Sequence, residues 1–216
     1  MIDISTDFGL AYRKPAFFPL LGDGIFVQDG AEWKHSRELL RPQFSRSRMQ
    51  NVDYLYKHID NLLLAVSHDD GPVDLQPLFY RFTLDTSTSL IFGRSTNSLI
   101  SDAAKEKETS FANAWDIAQR GMAARSSLGG FYWLIRSRKF RRACVEVHAF
   151  VDGMVADALE TLASRAADEK KTDGAVETIL QTLIQETKDP VTLRSTCLHI
   201  LLAGRDTTAS LLSWTL

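Results

Sequence analysis

The chain is short of the features that would fix a fold or a partner by themselves. It has two cysteines in 216 residues, and Cys144 and Cys197 do not make a disulfide framework or a zinc site. It lacks an excess of either charge: 25 Lys and Arg face 27 Asp and Glu, a formal net charge of −2. No global field therefore argues for nucleic acid. The first residues, Met1-Ile2-Asp3-Ile4-Ser5, carry no signal peptide. There is no uninterrupted apolar run of spanning length. The longest apolar stretch, 191–216, contains Arg194, His199, Arg205 and Asp206, and four ionisable groups argue against a transmembrane helix. No window alternates like a half-buried strand, and no internal repeat or low-complexity tract stands out. These absences leave an all-α chain.

What is present reads as a series of helices. Residues 1–28 show no clean periodicity and are punctuated by Gly9, Pro15, Pro19, Gly22 and Gly24, which predicts a loop. A helix is expected from Asp29, with Glu32 three residues on in a capping-box-like arrangement. It should end near Arg41, because Pro42 disfavours helix in the residue before it. Met49, Val52, Tyr56, Ile59, Leu63 and Val66 recur every three or four residues and mark one face of a helix over about 45–67. A turn follows at 68–72. Further helices are expected over 75–92 with Gly93 as stop, over 103–123, over 137–166 and over 176–187. Breaks fall at 126–130 and in the polar run 170–174. Asp189-Pro190 opens the last helix, with Asp as cap and Pro at the first helical position.

The middle of that last helix breaks several local rules at once. Leu201-Leu202-Ala203-Gly204-Arg205-Asp206-Thr207-Thr208-Ala209-Ser210 places a glycine, two adjacent charges and two threonines in an apolar helix. Glycine costs about 1 kcal/mol against alanine there. An unpaired buried charge costs several, and threonine hydroxyls can bond back to the preceding turn. Clustered violations of this kind mark functional sites. The Ala203–Gly204 step lets a flat ligand lie against the backbone, and Asp206 with Thr207 can handle protons beside it.

Ala203-Gly204-Arg205-Asp206-Thr207-Thr208 resembles the A-G-x-D/E-T-T motif of cytochrome P450 monooxygenases. Far upstream, Trp33-Lys34-His35-Ser36-Arg37, preceded by Asp23-Gly24-Ile25-Phe26 and followed by Arg41-Pro42-Gln43-Phe44, is similar to the W-x-x-x-R helix of the same family. Leu21-Gly22-Asp23-Gly24-Ile25-Phe26 and Arg81-Phe82-Thr83-Leu84-Asp85 resemble the fungal alkane and fatty-acid hydroxylase branch. The resemblance covers nearly the whole chain and implies a single partial domain, 1–216: the helical part of the P450 fold. The E-x-x-R helix and the heme-binding Cys loop that the family carries after the central helix are not in this sequence. The last helix also has no stop signal. The chain is therefore read as truncated at Leu216, and as starting after the membrane anchor of the resembled branch.

The resemblance implies heme b as cofactor, with its axial Cys ligand absent from this chain. It also implies dioxygen, a lipophilic substrate, NADPH-cytochrome P450 reductase as electron donor, and an endoplasmic reticulum membrane location for the full-length protein. Trp33 and Arg37, four apart on one helix face, aim two kinds of N–H donor the same way, which suits a carboxylate such as a heme propionate. The bland alternative is a tryptophan packed on an arginine stem. Ala203 and Gly204 are expected over the heme face; the alternative is close helix packing. Asp206 and Thr207 are the candidate acid–alcohol pair for proton delivery. The alternative is an ion pair of Asp206 with an arginine of another helix and a back-bonded Thr207, with Arg205 and Asp206 on different faces. His35, His148, His199, Cys144 and Cys197 are read as core or surface residues, and no protein metal ligand is assigned.

The segment Phe131-Tyr132-Trp133-Leu134-Ile135-Arg136-Ser137-Arg138-Lys139-Phe140-Arg141-Arg142 mixes aromatics and cations. It is read as a solvated helix start, with a membrane surface as the next reading and nucleic acid last. Two functions remain open beside the monooxygenase fragment: a non-catalytic helical remnant without an iron ligand, and an unrelated DNA- or lipid-binding helical module.

Overall fold

A computed structural model describes residues 9–45, 52–67, 71–100, 105–167 and 178–216. Among them there is no strand. The chain forms α1 (Arg13–Leu21), α2 (Gly30–Leu40), α3 (Asp53–Ser67), α4 (Leu75–Phe92), α5 (Lys105–Ser127), α6 (Arg138–Ala167), α7 (Ile179–Glu186) and α8 (Pro190–Thr215), with 3-10 turns at Arg41–Phe44 and Gly129–Leu134. The core gathers Leu20 and Leu21 of α1, Leu84 and Ile91 of α4, Phe111 and Trp115 of α5, Val147 and Val151 of α6, Leu180 and Leu183 of α7, and Leu193, Leu198 and Leu201 of α8. Phe111 stacks on Phe150 at 4.1 Å between ring centres, locking α5 to α6.

Most helix ends follow from their residues. Asp189 accepts the Thr192 amide at 2.9 Å and Pro190 takes the first position of α8. Gly93 closes α4 at φ 72°, in the left-handed region that glycine enters without steric cost. Thr178 and Gln181 form a reciprocal capping box at the start of α7. Behind Gly93, Asp85 is fully buried and organises the next loop: its carboxylate accepts from Thr96 Oγ1 at 2.7 Å and from the amides of Ser98 and Leu99 at 2.7 and 3.1 Å.

Four expectations need correction. Residues 1–28 are not all loop, because α1 forms despite Pro15 and Pro19. Pro19 has no N–H for the Pro15 carbonyl, and Arg125 of α5 donates to that carbonyl from Nη2 at 2.9 Å and to Ala16 O from Nε at 3.3 Å. Burial of Ala16, Leu20 and Leu21 completes the anchorage. The capping box at Asp29 is not made: its carboxylate accepts the Leu10 amide at 2.9 Å, while Glu32 reaches Lys14. The helix through Ser126 continues to Ser127 before turning. The helix expected over about 45–67 begins at Asp53 among the described residues; its apolar face is exposed at Tyr56, Ile59 and Leu63, and His58 meets α4, its Nε2 2.8 Å from Ser89 Oγ. Met49, most of the turn at 68–72 and the polar run 170–174 lie outside the described residues.

Candidate active site on the last helix

Along α8 the environment changes from buried on all sides to divided. Residues 195–201 are all buried. His199 is 1 % exposed and its Nδ1 accepts the Phe26 amide at 3.4 Å. Burial pushes its imidazole down to about 4, partly offset by the Gly22 backbone and the Asp23 charge. The loop after α1 lies directly on this stretch, and a Cβ on Gly24 would sit 2.5 Å from the imidazole Cδ2. The loop can therefore approach only because Gly24 has no side chain.

From residue 203 onward, α8 presents three different sides. Ala203 and Thr207, one turn apart, are exposed, as are Thr208, Leu211 and Trp214. Thr207 Oγ1 donates to the Ala203 carbonyl at 2.7 Å. Gly204 turns to α4 instead, where an added Cβ would lie 3.0 Å from Ser87 Oγ. The step therefore divides its two expected roles: Ala203 forms an open ledge, and Gly204 is used for helix packing.

The third side faces α5. Arg205 is 4 % exposed. Its Nη2 lies 2.6 Å from Asp116 Oδ1, its Nη1 donates to Gln119 Oε1 at 3.1 Å and to Asp206 Oδ1 at 3.2 Å, and its Cζ sits 5.2 Å from the centre of the Tyr80 ring. Gln119 Nε2 donates in turn to Asp206 Oδ2. Arg205 and Asp206 thus share one side, contrary to the expectation that they diverge, because both are drawn to polar groups of α5. Asp206 pairs with its own neighbour, and the arginine's cross-helix partner is Asp116. Removal from water pushes the Asp206 carboxyl above its ordinary range, against the opposing pull of Arg205 and Gln119. These groups line a pocket of about 850 Å³ that also reaches Arg81 and Arg120. Gln119 and Asp116 carry no motif in the sequence. Only the facing of α5 onto α8 reveals them.

Trp33 and Arg37 lie together on α2, both exposed, with the Arg37 guanidinium 5.2 Å from the Trp33 ring centre. This is the stacked pairing weighed as the bland reading, and it leaves the guanidinium N–H groups at the surface for an anion. Asp206 and Thr207 are not joined to each other: one faces the polar pocket, the other the open ledge. Both cysteines are buried, and burial pushes their thiols up to about 12, so neither offers a thiolate. Among the described residues no His, Cys, Asp and Glu cluster can hold a metal ion. His148 is structural, with Nε2 2.7 Å from the Leu20 carbonyl.

The described residues define an all-helical fold with one motif-bearing helix, and the comparisons specify the family. The sequence profile described as Cytochrome P450 matches residues 6–216, and this chain belongs to the cytochrome P450 family. It is 47 % identical over 197 residues to a cytochrome P450 of Arthroderma benhamiae, covering 90 % of this chain and 39 % of that protein. It is 43 % identical over 218 residues to cytochrome P450 52A5 of Candida maltosa, covering 97 % and 40 %. A cytochrome P450 monooxygenase of a Fusarium species, g430, is 39 % identical, covering 94 % and 38 %. The chain thus spans about two fifths of the length of these curated relatives. The heme domain of cytochrome P450DA shares the fold, with TM-score 0.71 at 20 % identity over 94 % of this chain and 43 % of that one.

The residues present fit part of a heme site. The Ala203–Thr207 ledge offers a small-residue surface for a planar group, and Trp33 with Arg37 offers donors for its carboxylates. An iron thiolate is not supplied by Cys144 or Cys197.

Proposed function

We propose that this chain is part of a heme-thiolate monooxygenase that hydroxylates a lipophilic substrate, an alkane or fatty acid, using dioxygen and electrons from NADPH-cytochrome P450 reductase at the endoplasmic reticulum membrane. The observation that carries the reading is the exposed ledge of Ala203 and Thr207 on a helix of the P450 family's own motif. The substrate class rests on the resemblance to the fungal hydroxylase branch.

Heme b, when bound, supplies the oxygen chemistry, and the protein supplies binding, orientation and protons. In this reading Arg37 and Trp33 would hold the heme carboxylates through their N–H donors. Ala203 keeps the ledge low enough for a small molecule and the substrate's reacting carbon to share it. The Thr207 hydroxyl, already polarised by donating to the Ala203 carbonyl, accepts a hydrogen bond from a water and holds it at the ledge. Asp206 takes up and gives back a proton in the polar pocket on the other side of α8. Removal from water makes its carboxyl hold a proton more tightly than an ordinary aspartate does, which suits a group that takes up and gives back a proton.

Thr207→Ala tests this in the full-length, heme-loaded enzyme. Reductant consumption should continue while hydroxylated product per reductant falls by about tenfold or more, within the range typical of a positioned proton-transfer group. Unchanged product per reductant would remove Thr207 from the mechanism. Among the described residues no helix is long and apolar enough to cross a membrane, so the membrane location is tested separately, by fractionating cells that express the full-length protein.

A further inference from the structure

Among the described residues, every hydrogen bond and ion pair between α5 and α8 runs through Arg205 or Asp206: Arg205 to Asp116, Arg205 to Gln119, and Gln119 to Asp206. Elsewhere the two helices face each other across the polar pocket. The Gln119 amide is used at both ends, with Oε1 accepting from Arg205 and Nε2 donating to Asp206. A glutamine is suited to this position because it presents a donor and an acceptor on one planar group. Asp116 draws the other prong of the guanidinium and so limits how fully Arg205 can neutralise Asp206.

We propose that Gln119 and Asp116 are positioning residues for Asp206: they hold its carboxylate in the polar pocket lined by α4, α5 and α8, where it exchanges its proton with solvent, and they tie its orientation to the position of α5. The proposal rests on the reading of Asp206 as the proton carrier. Its chemistry is simple proton exchange: a hydronium or water gives a proton to Asp206 Oδ, and the carboxyl later gives it up, with no change of oxidation state. The charged groups facing Asp206 are Arg205 on its own helix, Asp116 and Arg120 on α5, and Arg81 on α4, with Tyr80 as the neutral wall. Asp116 opposes ionisation of Asp206, and Arg205 and the Gln119 N–H favour it. The two positioning residues therefore act in opposite directions.

The test uses the full-length heme-loaded enzyme and infrared titration of the Asp206 carboxyl, identified as the C=O band lost in Asp206→Asn. Gln119→Glu keeps the size and the acceptor for Arg205 but removes the donor to Asp206 and adds a competing carboxylate. Gln119→Ala removes both contacts. The titration midpoint should rise in both variants and fall in Asp116→Asn. The solvent deuterium effect on product formation should grow about twofold or more in the two Gln119 variants, as expected when a proton-transfer group is misplaced. A purely structural role predicts that the solvent deuterium effect stays at its wild-type value in both Gln119 variants, and that result would overturn the proposal, as would midpoints unmoved in all three variants. Asp206→Asn separates the two ideas. If it leaves product per reductant unchanged, the proton-carrier reading falls, while the midpoint shifts still decide whether Gln119 and Asp116 position the carboxylate.

Discussion

A buried imidazole gives the most direct prediction at the scale of single residues. His199 holds its folded-state pKa at about 4 because burial disfavours the cation, whereas an unfolded histidine titrates at about 6.5. Above the unfolded value both states are neutral and His199 contributes no pH dependence. As pH falls below it, the unfolded chain takes up the proton first. Stability then drops by about 1.4 kcal/mol per pH unit until about pH 4. His58 and His148 are shifted the same way by burial, so the acid limb should be steep. Urea midpoints at about pH 7 and about pH 5 should differ less in His199→Gln, which keeps an acceptor for the Phe26 amide. An unaltered pH slope would show that the imidazole is hydrated in the fold. Residue identity alone did not reveal this: the sequence marks His199 as one ionisable group in an apolar stretch, and the glycine loop that seals it comes from elsewhere in the chain. Asp29 teaches the same lesson in reverse. Its spacing to Glu32 is that of a capping box, yet the Leu10 amide competes for the carboxylate and wins.

Whole helices were legible wherever local chemistry and tertiary packing agree. The end of α4 follows from Gly93 and the start of α8 from Asp189-Pro190, and these boundaries were readable to the residue. Gly93→Ala should destabilise the protein by about 1 kcal/mol or more, because φ 72° is unfavourable for a side chain and the new Cβ would lie 2.9 Å from Thr178 Cγ2. Thermal denaturation measures this, and a neutral effect would mean the α4–α7 junction relaxes without cost. α1 was illegible because two prolines and no periodic stripe argue against a helix, and contacts from distant parts of the chain, the Arg125 bonds and the burial of Ala16, Leu20 and Leu21, make it tenable. In the candidate site, the motifs named Trp33, Arg37, Ala203, Gly204, Asp206 and Thr207, but not which way each points. Helical spacing places consecutive residues on different sides, whereas long polar side chains reach back to a common partner. This explains how Arg205 and Asp206 come to share Gln119.

At the scale of the molecule, two apolar faces are uncovered among the described residues: Tyr56, Ile59 and Leu63 on α3, and Leu211 and Trp214 on α8, where Trp214 is 87 % exposed. Large contiguous apolar surface drives association. The 216-residue chain expressed alone should therefore elute above its 24.2 kDa monomer mass in size-exclusion chromatography and bind a hydrophobic dye. On the proposal that this chain is part of a longer monooxygenase, the longer protein should do so far less. A monodisperse, dye-silent chain would show that these faces are closed by rearrangement. The link between Arg125 and the Pro15 carbonyl has a different kind of consequence for the molecule: it makes two distant positions mutationally dependent. Pro19→Ala restores the peptide N–H that the arginine replaces, so Arg125→Met should cost about 1–3 kcal/mol less in that background than in the parent. A lineage that first loses the proline is then free to lose the arginine, while one that loses the arginine first must pass through a weakened α1.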